Sequence, residues 1–432
     1  MSAKGASPRR KGRGEFFAVD RRCWGAVCGL AGDVPPEYAA AAYLVLACFS
    51  DGSNTISTAS ANAVEKYADL TPGRATKAIK ALVDAGAVEA LPVEGSAKAG
   101  PRVPRHRLRP WSEFREVLAR RYGDQLRRLR GSPRITSPLR CAATELVQAG
   151  LALPTGLDGE GNPVALEVEP EGDGSPDWVW LPNALVRGAG RGTPPVERAR
   201  RTARVDNLRV LVELYAEHDL SEDGGVSRET WRETYRRAGP AHAIGGHPIY
   251  GFVSDGRWST NAKVYWALGR ERYWDAIRWV RSAGLASHVL LVTESGRTDA
   301  QPLYPLEHFE VLPSGDLCYA TKGNEGTGAV RAAMVDALER IDPLRVARTA
   351  IEAELGQHPE HIIIADKTYP EVALVGVLRL RYRPRTTKTS RWFAHEGRAL
   401  ARLHGELERI GRPQGELAAL SSGGGIARQR AS

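Results

Sequence analysis

Basic and hydroxyl side chains recur at helical spacing in the segment "TPGRATKAIKALVDAG". Its apolar stripe consists of Ala75, Ala78, Ile79, Leu82 and Val83. The polar side chains off this stripe, or at the start of the helix, are Thr71, Arg74, Thr76, Lys77 and Lys80. The later segment "RVPRHRLRP" adds Arg102, Arg105, His106, Arg107 and Arg109. Ammonium and guanidinium groups bind phosphates, so the chemistry that these residue types favour is non-covalent binding of a polyanion.

The overall composition agrees with a polyanionic partner. The 432 residues include 60 Lys plus Arg against 51 Asp plus Glu, a formal net charge of +9. Nucleic acid is the commonest polyanion in a cell, although charge alone does not separate DNA from RNA or anionic lipid. No apolar run is long enough to cross a bilayer, and the N-terminus lacks a secretory signal. We therefore expect a cytoplasmic, nucleoid-associated protein that does not contact a membrane.

Three common catalytic motifs are missing from the sequence. "RGAGRG" and "SSGGGIA" lack the Gly-Lys-Ser/Thr ending of a P-loop, and neither G-x-S-x-G nor H-E-x-x-H occurs. Asp366, Lys367 and Glu371 have the composition of a nuclease site, but neither its order nor its strand placement. We therefore predict that the protein is not an enzyme and needs no cofactor.

The metal-binding residue types are also poorly arranged. His358 and His361 have a spacing that could share a metal ion, but Pro359 separates them and no carboxylate completes the set. We interpret them, like His242 and His247 in a Gly/Pro loop, as surface histidines. The cysteines are odd in number and include no C-x-x-C pair, which favours buried free thiols. They are Cys23, Cys28, Cys48, Cys141 and Cys318. The sequence therefore predicts no metal site.

Helix and strand signals place the basic residues within the first part of the chain. An Ala-rich apolar run predicts a buried helix from Pro36 to Phe49. "SANAVEKYADL" predicts a second helix after Ser60, and a third follows from Thr71 to a C-cap at Gly86. "AVEALPVEG" and "RVPRHRLRP" then predict two paired strands around a Gly/Pro loop.

This order of elements, carried by "AVEKYADLTPGRATKAIKALVDAGAVEAL", resembles the winged helix-turn-helix family. In that family the second helix of the pair enters the major groove, and the hairpin contacts the backbone or the minor groove. The resemblance implies that DNA contacts Thr71, Arg74, Thr76, Lys77 and Lys80. It places on the wing Arg102, Arg105, His106, Arg107 and Arg109. The alternative is a solvated helix face followed by a basic loop.

The end of the third helix has a counterpart later in the chain. "AIKALVDAGAVEAL" and "AIRWVRSAGLASHV" each predict a helix that stops at Gly and passes into a strand. The strand-like runs "EFFAVD" and "DWVWLP" repeat as well, each followed by an apolar helix. "SEDGGVSRETWRETYRR" predicts the next helix, capped by Ser227. We therefore expect a second, enlarged winged-helix unit.

The second unit offers weaker candidates for nucleic-acid contact, namely Arg270, Arg272 and Arg278. The rings between them are Tyr273, Trp274 and Trp279. Rings among arginines can stack on the bases of a single strand, or they can form a domain interface, which further aromatic residues nearby favour. A last basic run, "RYRPRTTKTSR", contains Arg385 and Lys388 and is either a phosphate-binding patch or a solvated turn.

The predicted fold is α+β, with tandem winged helix-turn-helix domains, a mixed α/β C-terminal region and disordered termini. The first three divisions are a disordered basic arm (1–15), a first winged-helix domain (16–110), and a linker helix with an acidic hairpin (111–177). The remaining three are a second, enlarged winged-helix-like domain (178–312), a C-terminal α/β region (313–411) and a disordered tail (412–432).

Tandem winged helices resemble the replication initiators of plasmids and phages. The resemblance implies a sequence-specific DNA-binding protein of a mobile element, acting as a replication initiator or a transcriptional regulator. Double-stranded DNA is the expected partner, and a second copy of the chain or other replication or transcription proteins are further candidates. The alternative is a non-catalytic winged-helix scaffold for other proteins, such as a subunit of a chromosome-organising or defence complex.

Overall fold

The computed structural model describes most of the chain. The residues it describes are 15–30, 32–92, 104–130, 135, 140–148, 151–157, 163–168, 175–189, 192–218, 225–228, 230–294, 302–305, 309–311, 317–319, 342–365, 367, 370–382, 405–406 and 409. The predicted C-terminal tail lies outside these residues, as does almost all of the predicted basic arm. Arg102, Arg385 and Lys388 also lie outside them.

The chain divides into two compact units. Unit 1 consists of Met1–His218, Asn261–Ser287 and Leu380–Pro384, and unit 2 of Asp219–Thr260, His288–Arg379 and Arg385–Ser432. The boundaries expected at residues 110 and 177 therefore lie inside unit 1. Residues 178–312, expected to be one domain, contribute to both units. Both units mix helices and strands, which agrees with the predicted α+β class.

The first half of unit 1 confirms the elements predicted between residues 36 and 110. In chain order it contains β1 (Phe16–Asp20), α1 (Arg21–Cys28), α2 (Pro36–Cys48), β2 (Ile56–Ser57), α3 (Ala61–Ala68), α4 (Pro72–Asp84), β3 (Val88–Leu91) and β4 (Arg105–Leu108). The short strands pair antiparallel in the order β2-β4-β3. α2 is apolar on nearly every side and forms the centre of this half. Cys23, Cys28 and Cys48 are buried free thiols, as predicted.

A helical segment and a hairpin follow. They consist of α5 (Trp111–Arg121), α6 (Gly123–Arg130), α7 (Arg140–Gln148), β5 (Ala152–Leu157) and β6 (Pro163–Val168). The single helix expected for "WSEFREVLARRYGDQLRRLRG" is wrong, because the chain leaves helical geometry at Tyr122, the residue that caps α5. Gly123 follows directly, and glycine is a poor helix former, so the break occurs where the helix is locally weakest.

The second half of unit 1 starts with a strand that pairs with the first half. Its elements are β7 (Trp178–Pro182), α8 (Ala184–Arg187), α9 (Pro195–Arg201), α10 (Val205–Ala216), α11 (Lys263–Leu268) and α12 (Arg270–Ser282). β1 and β7 pair antiparallel, from Phe16 opposite Pro182 to Asp20 opposite Trp178. The two strands that the sequence marks as repeats of each other thus form one sheet, and both halves belong to one compact unit.

Unit 2 is built on a six-stranded sheet. The remaining elements are β8 (Arg232–Ile244), β9 (His247–Ser259), β10 (Ala286–Glu294), β11 (Pro302–Pro305), β12 (Phe309–Val311), β13 (Leu317–Tyr319), α13 (Asp342–Leu355), β14 (His361–Ile364) and β15 (Val372–Leu380). The sheet order is β11-β10-β15-β8-β9-β14. Ala347, Ile351 and Leu355 of α13 pack against one face of the sheet. α13, β14 and β15 lie within residues 313–411, where the sequence predicts a mixture of helices and strands.

One predicted helix of the second repeat is wrong. The segment from Ser227 onward forms only a single turn, in which the Ser227 carbonyl accepts hydrogen bonds from the N–H groups of Thr230 and Trp231. The chain then enters the long strand β8, which pairs with β9 and β15. Threonine and aromatic residues suit a half-buried strand, so pairing with both neighbours overrides the local helical pattern.

Candidate nucleic-acid interface

The exposed side of α4 carries several of the residues predicted to contact DNA. Ala75, Ala78, Ile79 and Leu82 are buried beneath the helix, as the apolar stripe predicts. The exposed side is formed by Gly73, Thr76, Lys77, Lys80 and Asp84, which we call the α4 face. Spacings of three and four residues align these positions on one side of a helix. Three of the predicted contact residues therefore lie together, with Thr71 and Arg74 exposed at the start of the helix.

The lysines of the α4 face differ in their partners. Lys80 Nζ donates a hydrogen bond to Asp84 Oδ2 at 2.5 Å, and this bond raises the pKa of Lys80 above its ordinary value. Lys77 has no carboxylate partner within the described part of the chain. Thr76 Oγ1 donates to the Pro72 carbonyl at 3.0 Å, which holds the hydroxyl against the helix. The α4 face therefore presents one unmatched cation and one internal ion pair.

The turn before α4 is held by arginines of α9. Asp69 ends α3 in a left-handed conformation, with φ of 51°. Arg200 donates to the Ala68 carbonyl at 2.9 Å and to Asp69 Oδ2 at 2.7 Å, and Arg201 Nε donates to the same oxygen at 3.0 Å. The Arg-rich run "PPVERARR" is visible in the sequence, but its partner is distant along the chain, so the sequence analysis missed this contact. The ion pairs fix the turn from which α4 starts.

Arg74 is also engaged within the protein. Its guanidinium carbon lies 5.7 Å from the centre of the Tyr38 ring, and that of Arg200 lies 5.9 Å from the same centre. An arginine over an aromatic ring is held by the negative ring face and by contact with the ring surface. Arg74 therefore anchors the start of α4 to α2, although the sequence pattern assigns it to DNA.

The basic residues of the predicted wing lie among carboxylates. Arg107 on β4 donates to Glu89 Oε2 at 3.0 Å and also bonds to Glu113 of α5. Arg109 Nε lies 3.9 Å from the same Glu89 carboxylate. Arg105 is half-buried at the start of β4. The structure thus places Arg107 and Arg109 together around Glu89, where much of their charge is balanced, rather than as a row of free cations.

His106 corrects one further expectation. The family resemblance places His106 on the wing, but only 8% of its surface is exposed. Its Nδ1 lies 3.1 Å from the Ala59 carbonyl, and burial lowers the pKa of His106 below its ordinary value. Alternation along β4 explains the difference, since His106 and Leu108 point to the core while Arg105 and Arg107 point away.

α12 repeats the length, the burial pattern and the C-terminal turn of α4. Both helices have 13 residues and end in the same hydrogen bonds, with Gly86 and Gly284 at equivalent positions and positive φ values of 81° and 64°. The buried residues of α12 occupy the positions of the four buried residues of α4. They are Tyr273, Ala276, Ile277 and Val280. The repeated helix ending that the sequence predicts is therefore present in both halves of unit 1.

The exposed side of α12 carries different chemistry. Asp275 occupies the position of Lys77 and pairs with Arg204, at 3.1 Å, and with Arg278. Arg272 forms two hydrogen bonds to Asp206, at 2.7 and 2.8 Å. Of the three weaker candidates, only Arg270 is exposed without a carboxylate partner in the described part of the chain.

Two histidines interpreted as surface residues are buried in unit 2, while His242 and His358 are exposed. His247 is 1% exposed, and its ring nitrogens lie 3.2 Å from the Ala365 carbonyl and 3.1 Å from Glu406. His361 is 5% exposed, and burial lowers its pKa to about 4. Long-range pairing of β14 with β9 buries these rings, which local sequence does not show.

The described residues give no sign of metal chemistry. No three His, Cys, Asp or Glu side chains among them gather closely enough to hold a metal ion.

The buried Glu233 carboxylate of unit 2 accepts hydrogen bonds from Ser254 and Tyr235, and His288 lies 3.0 Å away. Burial opposes the charge on Glu233, but these neighbours outweigh burial and lower its pKa.

Comparison with known proteins adds no assignment. No family model, no curated protein and no solved structure matches this chain. No helix in the described ranges is both long and apolar enough to span a membrane.

Proposed function

We propose that residues 16–110 form a winged helix-turn-helix unit that binds double-stranded DNA through the α4 face. The order helix, strand, helix, helix, strand, strand supports this proposal, as does the three-stranded antiparallel sheet beside α4. The observation that carries it is the α4 face itself. Lys77 and Lys80 lie on the exposed side of the second helix of a helix-turn-helix pair, the position from which such proteins enter the major groove.

We further propose that this binding serves a sequence-specific replication initiator or transcriptional regulator of a mobile element. The repetition of the α4 geometry in α12 supports a tandem arrangement, since both helices end in the same turn. The polar α4 face, which combines Thr76 with two lysines, offers groups that can contact both phosphates and base edges.

The test is binding of the full chain to duplex and single-stranded DNA across a salt series. Lys77→Glu combined with Lys80→Glu removes both cations of the α4 face and adds two negative charges. We expect duplex affinity to fall by roughly tenfold or more, and the slope of log affinity against log salt to decrease by about two.

A matched control reverses two charges on α12 with Arg270→Glu and Arg278→Glu. The net charge change is the same, so a general electrostatic effect predicts the same loss in both double variants. We expect the α12 variant to retain most of the duplex affinity. Equal affinity and salt slope in the α4 variant and the unaltered protein would remove the α4 assignment.

The second candidate function, binding of a protein partner, is favoured for α11 and α12. Trp266 is 39% exposed, and its ring packs edge-on against Tyr265, beside the edge-on pair of Tyr265 and Tyr273. Exposed tryptophan is enriched in protein interfaces. Asp275 lies where α4 has a lysine, and a carboxylate at this position opposes DNA. If α12 serves a protein partner, Trp266→Ala leaves duplex affinity unchanged in the salt series above.

A further inference from the structure

An open cavity of about 640 Å³ lies beside α4 in unit 1. Its walls come from the segment between α1 and α2, from α2 itself, from one flank of α4 and from α5. The half-buried apolar side chains that line it include Leu30, Val34, Ala81 and Val117. Small-molecule sites typically measure about 300–1,000 Å³ and combine apolar walls with a few convergent polar groups. The volume of this cavity falls within that range, and its lining combines apolar with charged side chains.

Charged side chains converge on the same cavity. They are Asp33, Lys77, Lys80, Asp84 and Arg121. Lys80 is matched by Asp84 at 2.5 Å, and Asp33 is close enough to contribute to its raised pKa. Lys77 and Arg121 have no carboxylate partner among the residues that the structure describes. Because three cations face two carboxylates, the lining carries a formal net charge of +1, which one bound anion would neutralise.

The spacing of the cavity walls is set by close packing below it. Gly86 has φ of 81°, and a Cβ atom at this position would lie 2.7 Å from Val117 Cγ1. Val117 of α5 therefore packs directly against the backbone of the turn that ends α4. Because this contact leaves no space for a side chain, the α5 wall is held at a fixed distance from α4.

The two helical repeats differ at the cavity. Ala81 lines it on α4, whereas the equivalent position of α12 carries Trp279. α4 therefore has alanine at a position where α12, a helix with the same burial pattern, accommodates tryptophan. This comparison also supplies a substitution, Ala81→Trp, that narrows the cavity with a side chain found on a helix of the same type.

We propose that the cavity binds a small amphiphilic monoanion, an aromatic or aliphatic body with one carboxylate or sulfonate group. The body completes the burial of Leu30, Val34 and Val117, and the anionic group lies between Lys77 and Arg121. A second consequence rests on the proposed DNA-binding function. Lys77 and Lys80 belong to both the cavity and the α4 face, so the bound anion competes with duplex DNA for the same cations.

The site is tested with 1-anilinonaphthalene-8-sulfonate, an aromatic monoanion of this class, titrated into the full chain and followed by fluorescence. Calorimetry gives the stoichiometry. We expect saturable binding of one probe per chain. Ala81→Trp places an indole ring in the cavity and weakens binding at least tenfold, and Arg121→Gln weakens it several-fold. The control Arg128→Gln alters an exposed arginine of α6 that does not line the cavity, and it leaves binding unchanged.

Two results would overturn the site. One is the lack of saturable binding by the unaltered protein, and the other is equal affinity of the unaltered protein and the Ala81→Trp and Arg121→Gln variants. Arg121 is exposed, so its replacement keeps the test valid even if the larger tryptophan disturbs folding. Circular dichroism of each variant identifies such a disturbance.

Competition is measured separately, by adding the probe to the protein bound to a labelled duplex. Displacement that is lost in Arg121→Gln supports competition, whereas a ternary complex refutes it and leaves the cavity site intact. If no duplex binds at all, the proposed DNA-binding function fails, but the probe titration still decides whether the cavity is a ligand site.

Discussion

α4 and α12 share a backbone and differ in what they present. Both have 13 residues, both bury four residues at the same positions, and both end in a glycine with positive φ. α4 exposes Thr76, Lys77 and Lys80, whereas α12 has Trp274, Asp275 and Arg278 at these positions. The shared part determines that a helix forms and how it packs. The variable part determines which partner each helix can meet.

The difference extends to the residues around each helix. The ion pairs of α12 run to α10 and to the residue before it, through Asp206 and Arg204. The ion pairs near α4 run from α9 to the turn before the helix, and Lys77 has no carboxylate partner among the described residues. In α12, Arg272 and Asp275 connect the helix to α10 and to the residue before it, whereas α4 is held at its start and keeps Lys77 exposed. Helices of equal length and burial pattern therefore present different charges to solvent.

The largest change in the free energy of unfolding is expected where α4 and α12 differ in their buried residues. Tyr273 is fully buried in α12, and Ala75 occupies the equivalent position of α4. Tyr273→Ala removes a large buried ring, so we expect the free energy of unfolding to fall by roughly 3–5 kcal/mol. Chemical denaturation followed by far-ultraviolet circular dichroism measures the loss.

The matched control is Tyr273→Phe, which keeps the volume and costs less than about 1.5 kcal/mol. Equal losses for the two substitutions would show that volume at this position does not hold α12 in place. The reverse exchange, Ala75→Tyr, forces a ring into the packed space below α4 and is expected to cost more than the roughly 1–3 kcal/mol typical of added methylene groups.

The next largest change in the free energy of unfolding is expected at the glycines that follow α4 and α12. Gly86→Ala strains a left-handed residue, which costs about 1–2 kcal/mol, and adds a clash with Val117. At Gly284 an added methyl group would lie 3.7 Å from its nearest side-chain neighbour, Arg381, so only the backbone cost applies. We expect a total loss of roughly 3 kcal/mol for Gly86→Ala and about half of that for Gly284→Ala.

Adding Val117→Ala to Gly86→Ala separates the two contributions. The second substitution removes the clashing methyl groups, so the double variant should lose less stability than the two single losses added together. Strict additivity of the losses would mean that the contact between Gly86 and Val117 does not constrain the turn.

The shared features are also those that the sequence predicts well. The ends of α4 and α12 depend on Gly86 and Gly284 and on apolar residues within one helical turn, so the pattern is local. Arg107 and Asp275 pair with Glu89 and Arg204, which lie 18 and 71 residues away along the chain and are brought close by folding. Pairing of distant strands likewise decides that the segment after Ser227 becomes β8. Charge patterns therefore indicate which residues can bind an anion, but not which of them are already matched.

A charge exchange between the helices tests their difference directly. Lys77→Asp gives α4 the residue that α12 carries at this position. The loss of a cation reduces the salt slope of duplex binding by about one, and the added carboxylate lowers affinity further, to roughly one tenth. The reciprocal Asp275→Lys is expected to change duplex affinity by less than about twofold, because α12 lies outside the proposed interface. A gain as large as the loss at Lys77 would place both helices on DNA.

The smallest effect is expected at the arginine that both helices carry near their start. Arg74 lies over Tyr38, and its equivalent Arg272 pairs with Asp206. Arg272→Met keeps the apolar stem and removes the ion pair, whose arginine is about half exposed, so we expect a loss of at most about 1 kcal/mol. A double-mutant cycle with Asp206→Asn isolates the pair from other effects of each change. A coupling energy near zero, together with reduced duplex affinity of Arg272→Met, would assign this arginine to DNA and remove the distinction between the two helices.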